Sequence, residues 1–171
     1  MTLNGWLPQV QDSGLLRWRP GILNFNDGLT LWLEHLVYCS MGGTGSSRML
    51  GRKESEWHFP PLAPAAAKQQ LAGYVDGYRQ GMCAPLLLTA SGGAWLKACF
   101  DEKAGAVLRD DATLKKARGK LLLSWQGNYQ VDGEGTDPYL QRLLRTLDSN
   151  SEQEMAVQAE RWLLPLLVHN S

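Results

Sequence analysis

The sequence predicts an α/β chain. Two pairs of short apolar runs joined by turn residues read as β-hairpins, and five stretches keep helical apolar spacing, four of them behind capping residues. Strands and helices mix without an internal repeat.

The elements follow in chain order. An extended apolar run, Leu3 to Val10, a turn at Asp12-Ser13-Gly14 and a second run, Leu15 to Arg19, form the first hairpin, which Pro20-Gly21 ends. Asn24 with Asp27 three residues later has the form of a helix cap, and Phe25, Leu29, Trp32, Leu33, Leu36 and Val37 then share one face. After the loop MGGTGSSR, the runs Arg48–Gly51 and Glu56–Phe59 read as a second hairpin, closed by Pro60-Pro61. From Ala65 to Cys83, the residues Ala67, Leu71, Tyr74, Val75, Tyr78 and Met82 keep helical spacing. Pro85 to Leu88 reads as a buried strand. Ser91 is the expected cap of a helix through Trp95 and Cys99, and Asp110 or Asp111 that of a helix through Leu114, Leu121 and Trp125. A polar loop over residues 127–137 precedes the last helices. Ser151 with Glu154 reads as a capping box before Met155, Ala159, Trp162, Leu163 and Leu166, and Pro165 is expected to kink or end that helix.

Length and composition fit one domain over residues 1–171. Of 171 residues, 44% are apolar and 20% charged, enough to build a core without disulfides. Cys39, Cys83 and Cys99 form no pairing motif, and no secretory leader or membrane-length apolar run is present, which points to a reducing cytoplasmic compartment. Seventeen basic residues balance seventeen acidic ones, unlike a module that holds nucleic acid by charge alone. The balance is uneven along the chain: residues 61–130 carry nine basic against five acidic, and residues 131–171 three against seven. A low charged fraction with seven tryptophans fits a Trp-rich core or a surface covered by protein.

Several chemistries are excluded. No Gly-Lys-Ser or Gly-Lys-Thr loop is present for nucleotide phosphates, and His35, His58 and His169 lie apart, without zinc spacing. Asp132, Glu134 and Asp137 lack the turn glycine and late glutamate of a calcium loop and read as a solvated acidic loop. The Ser-Gly-Gly at residues 91–93 opens a helix whose free N–H groups suit an anion or, more simply, a cap. Lys116 and Lys120 stack one turn apart in the densest basic run, and with Arg17 and Arg19 they are the candidate DNA contacts. Gly73, Gly77 and Gly81 recur every fourth residue of one helix, at a cost of about 1 kcal/mol each relative to alanine, and so suggest close approach by another backbone. They are the candidate partner interface.

The opening hairpin carries the most information. Nucleases of the PD-(D/E)XK class place an Asp late in one strand and an (Asp/Glu)-X-Lys in the next, so that carboxylates hold Mg²⁺ and the lysine orients water. Laid on that pattern, LNGWLPQV and GLLRWRP put Pro8 at the Asp position, Arg17 at the second carboxylate and Arg19 at the lysine. Glu34 and Tyr38 keep the spacing of the Gln-x-x-x-Tyr of the exonuclease branch, with the first residue changed. Proline and arginine supply no anionic side-chain oxygen, so the hairpin resembles a nuclease without its metal.

The phrases LWLEHLVYC, GYRQGM, APLLL…SGGAWLK and LLPL resemble the C-terminal end of RecC, the gamma chain of bacterial exodeoxyribonuclease V, over essentially all 171 residues. The resemblance implies a restriction-endonuclease-like mixed sheet flanked by helices, truncated at its N-terminus and extended by C-terminal helices. It also implies that this domain is the last part of a much longer subunit, without catalytic residues, metal or other cofactor. Partners would be RecD, which docks on this region, and RecB, with DNA reached through the assembled complex in recombination and double-strand break repair. The competing readings are a nuclease rebuilt on Asp12, Asp27 and Glu34, and an autonomous weak DNA-binding module.

Overall fold

The computed structural model describes residues 4–171, so Leu3 lies outside the described residues. The chain divides into two compact units, one holding the described residues up to Tyr78 together with His169–Ser171, the other Arg79–Val168.

The first unit is built on a four-stranded sheet of order β1-β2-β3-β4, with β1 (Val10–Gln11), β2 (Gly14–Trp18), β3 (Ser46–Leu50) and β4 (Glu56–Phe59). Strand β1 pairs antiparallel with β2 and β4 with β3, whereas β2 and β3 run parallel, Trp18 beside Leu50. That parallel pair needs a crossover, and helix α1 (Phe25–Ser40) supplies it. The mixed α/β sheet is as expected, but the first strand is shorter: residues 4–7 form no strand, and Gln9 turns the backbone with φ 56°. Ser46 and Ser47, expected in a loop, already belong to β3.

Asn24 caps α1 as expected, its Oδ1 accepting from the N–H groups of Asn26 and Asp27 while Asp27 Oδ2 accepts from Asn24 N. The buried face is rotated from the apolar stripe: Gly28, Leu31, Trp32, His35, Leu36 and Cys39 are buried, and Leu33 and Val37 are only half-buried. Trp32 meets Phe59 edge-on at 4.9 Å, and a Cβ on Gly28 would stand 2.5 Å from the Trp57 ring. His35 enters this core because its neighbours satisfy it. Its Nε2 reaches the Pro60 carbonyl at 3.0 Å, leaving Nδ1 to accept from the Ser47 hydroxyl at 2.7 Å. Burial, joined by the nearby His169 and His58 and opposed in part by that carbonyl bond, lowers its pKa to about 4. Helix α2 (Pro64–Cys83) follows as expected.

In the second unit, residues 85–89 form no strand; Thr89 instead caps α3 (Ala90–Cys99), accepting from Gly92 N. The expected cap, Ser91, is a buried residue of the first turn. Asp110 caps α4 (Asp111–Gln126) by accepting from Thr113 N, a bond that holds its carboxyl below the usual range. Residues 127–137 are more ordered than a solvated loop: β7 (Gly127–Asn128) and β8 (Val131–Asp132) form a hairpin, as do β5 (Phe100–Asp101) and β6 (Ala106–Val107) before them. A 3₁₀ turn (Glu134–Thr136) leads to the short α5 (Pro138–Leu143). The last helix, α6 (Ser149–His169), begins before the expected box, with Asp148 Oδ1 accepting from Ser151 N, and does not end at Pro165. Trp95, Leu96, Cys99, Leu121, Met155, Trp162 and Leu163 are buried in this unit.

Candidate functional site

On the inner row of β2, Arg17 is largely buried, its side chain 14% exposed. Its Nη2 lies 2.9 Å from Glu34 Oε2 on α1 and donates to the Pro8 carbonyl at 2.7 Å. Its Nη1 donates to Gln9 Oε1 at 3.2 Å and to the Leu16 carbonyl at 3.3 Å. The backbone turn at Gln9 is what aligns the Pro8 carbonyl with the β2 side chain. Pro8, Arg17 and Glu34 thus converge, although they are separated in sequence by eight and sixteen intervening residues. A fixed guanidinium stands among the oxygens that a divalent ion would need, so a second cation there would meet its charge directly.

The other positions of the pattern are also committed. Arg19 Nη1 contacts both carboxylate oxygens of Asp27, at 2.7 and 2.9 Å, and Asp27 in turn belongs to the α1 capping box. Tyr38 turns to the loop after α1, where its hydroxyl accepts from Gly45 N at 3.1 Å. Of the three acids offered for a rebuilt metal site, Glu34 and Asp27 each face an arginine, and Asp12 is exposed in the hairpin turn. Among the described residues no three His, Cys, Asp or Glu side chains stand close enough to share a metal ion.

Beside Glu34, two open apolar hollows that share Leu7 and Val37 extend the site. One, of about 440 Å³, lies where Leu33 of α1 and Leu71, Tyr74 and Tyr78 of α2 come together. The second, of about 840 Å³, is walled by Trp6, Tyr38 and Met41. Sequence reasoning missed them, because residues 71, 74 and 78 read as an ordinary core stripe; the polar hydroxyls of Tyr74 and Tyr78 on that stripe were the available signal. On α2, Gly73 is exposed and a Cβ there would meet nothing within 4 Å, while at Gly81 it would touch only the Leu86 side chain at 3.4 Å. Gly77 is buried. The backbone contact expected at this stripe is therefore absent at Gly73 and Gly81 among the described residues. It occurs instead at Gly92 of α3, where a Cβ would stand 2.5 Å from the Met155 carbonyl of α6.

The sequence model of the RecC C-terminal domain matches residues 1–100, which include the Arg17 cluster, α1 and α2. The chain belongs to the RecC C-terminal domain family. It is 53% identical over 169 residues, 98% of its length, to the RecBCD enzyme subunit RecC of Escherichia coli strain K12. Subunits of the same name from Buchnera aphidicola of Schizaphis graminum and of Acyrthosiphon pisum are each 38% identical, over 98% and 95% of the chain. The chain spans about 15% of the length of the E. coli relative.

In this RecC-family domain the remaining candidates lie in the second unit. Lys116 and Lys120 are exposed on α4, and Arg118 between them pairs with Glu152 at 2.6 Å. Basic charge on α4 is thus partly consumed within the fold. The anion-suited N-terminus of α3 is already occupied: Glu134 accepts from Ala90 N and Ser91 N, both at 2.7 Å. Glu134, read as solvated, is a second cap of α3. No helix among the described residues is long and apolar enough to cross a membrane.

Proposed function

We propose that this domain is a non-catalytic docking module of the RecC subunit. It holds RecD, and with RecB completes the helicase–nuclease that acts at double-strand breaks, supporting the path of DNA without cutting it. The observation that carries the non-catalytic part is Arg17 between the Pro8 carbonyl and the Glu34 carboxylate. A guanidinium anchored at 2.7 and 2.9 Å replaces the charge of a metal ion and cannot activate water as a metal does. Docking is supported by α2, which exposes Gly73, Tyr78 and Met82 and borders an open apolar hollow. A stable partner would need to cover at least about 1,000 Å², more than these features alone provide, so the α2 surface serves as the anchor of a wider contact.

Gly73→Leu separates docking from internal packing, because the new side chain points into open space. The variant should melt like the parent chain and lose retention on immobilised RecD. Unchanged retention would remove α2 from the interface.

A further inference from the structure

We infer that Asn170 and Ser171 are a strap that closes the free edge of β4, and that β4 pairs with β4 of a second copy of the chain once the strap is removed. Among the described residues, β4 ends the sheet and has β3 as its one neighbouring strand. Such an edge is a template for strand addition unless something covers it. Along β4 the backbone groups alternate sides: Ser55 accepts from Gly51 N at 2.8 Å on the β3 side, which turns Glu56 and His58 outward. The outward groups of His58 are met by the strap. Its N–H donates to Asn170 Oδ1 at 2.9 Å, and its carbonyl accepts from Ser171 N at 3.1 Å. The His58 ring adds to the contact, with Nδ1 3.1 Å from Ser171 Oγ and 3.2 Å from the Ser171 carbonyl oxygen.

The root of the strap is fixed. His169, the last residue of α6, has its ring 4.9 Å from that of Trp32 in the core of the first unit, to which residues 169–171 belong. A tether this short gives the strap an effective concentration in the range of about 1 mM or more, so a second copy at micromolar concentration does not displace it. Without the strap, two copies suit each other. Antiparallel pairing about a two-fold axis through Trp57 sets Glu56 of each copy opposite His58 of the other. These are the residues whose backbone groups point outward, so each pair exchanges two backbone bonds. It also brings the Glu56 carboxylate, held by Arg48, beside an imidazole. The inference concerns β4 alone and stands apart from the docking of RecD on α2.

The test compares the 171-residue chain with one that lacks Asn170 and Ser171 and keeps His169 on Trp32. Sedimentation equilibrium between about 0.01 and 1 mM protein should find the parent monomeric and the shortened chain increasingly dimeric. Amide exchange at His58 should be slow in the parent, at least about tenfold faster in the dilute shortened chain, and slow again in its dimer. Asn170→Ala combined with Ser171→Pro removes both backbone-directed strap bonds at full length and should behave as the shortened chain does, so a folding defect of the truncation does not decide the matter. A monomer at every concentration in both altered chains, association that leaves His58 exchange fast, or a parent whose His58 amide is already unprotected would overturn the assignment.

Discussion

Lowering the pH should weaken the first unit through one side chain, His35. The imidazole is fully buried, its Nε2 is committed to the Pro60 carbonyl, and its Nδ1 accepts from Ser47, so protonation breaks an accepting bond and buries a charge. Its pKa falls from 6.5 to about 4 on folding. The unfolded chain therefore binds the proton more readily than the native one between these values, and stability is complete above the unfolded pKa and lost as pH falls. Relative to pH 7.5, the loss from this group reaches about 2 kcal/mol at pH 5 and about 3 kcal/mol at pH 4, with little further loss below. Urea unfolding of the chain and of His35→Gln at pH 7.5 and 5 isolates the effect, because the other titrating groups are common to both. The variant should start less stable and lose about 2 kcal/mol less between the two pH values. Equal losses in both proteins, or an NMR titration showing His35 charged at pH 5, would refute the reasoning.

Three other outcomes follow from the geometry. Gly92→Ala should destabilise by about 1–3 kcal/mol in urea, since its methyl meets the Met155 carbonyl, whereas Gly73→Ala should be neutral or stabilise by up to about 1 kcal/mol. Glu134→Ala should cost about 1–2 kcal/mol and speed amide exchange at Ala90 and Ser91, whose N–H groups lose their acceptor; unchanged exchange would show that the cap is not formed in solution. DNA binding by the isolated chain should be non-specific, with Kd on the order of 10⁻⁴ to 10⁻⁶ M at physiological salt, and should weaken steeply as salt rises in a filter-retention assay. Tight retention at high salt would contradict it.

What was legible in the sequence was local. The Asn24–Asp27 capping box and the turn at residues 12–13 are specified by a few adjacent residues, and both form where expected. Pro8, Arg17 and Glu34 were also readable one by one, as residues that resemble a nuclease pattern without its metal ligands. Their joining was not, because the Arg17–Glu34 pair depends on how α1 crosses the sheet. The Leu86–Leu88 run failed as a strand for want of a partner: an apolar triplet between Pro85 and the Thr89 cap passes half-buried into α3 without pairing. Glu134 was missed for a related reason. Its acceptor role lies 43 and 44 residues away along the chain, at Ser91 and Ala90, and charge patterning alone cannot separate a solvated carboxylate from one that caps a remote helix. The glycine spacing was only partly informative: the stripe on α2 meets nothing within the fold at Gly73, while Gly92, in a Ser-Gly-Gly turn read as a cap or an anion site, makes the tight helix contact.

The central claim is that Arg17 has replaced the metal of a nuclease-like site, and the most direct measurement is digestion of linear DNA by the pure chain in Mg²⁺ and in Mn²⁺. The DNA should survive intact in both. Degradation by the chain that disappears in Glu34→Ala or Asp27→Ala would contradict the claim and assign those carboxylates to a working metal site.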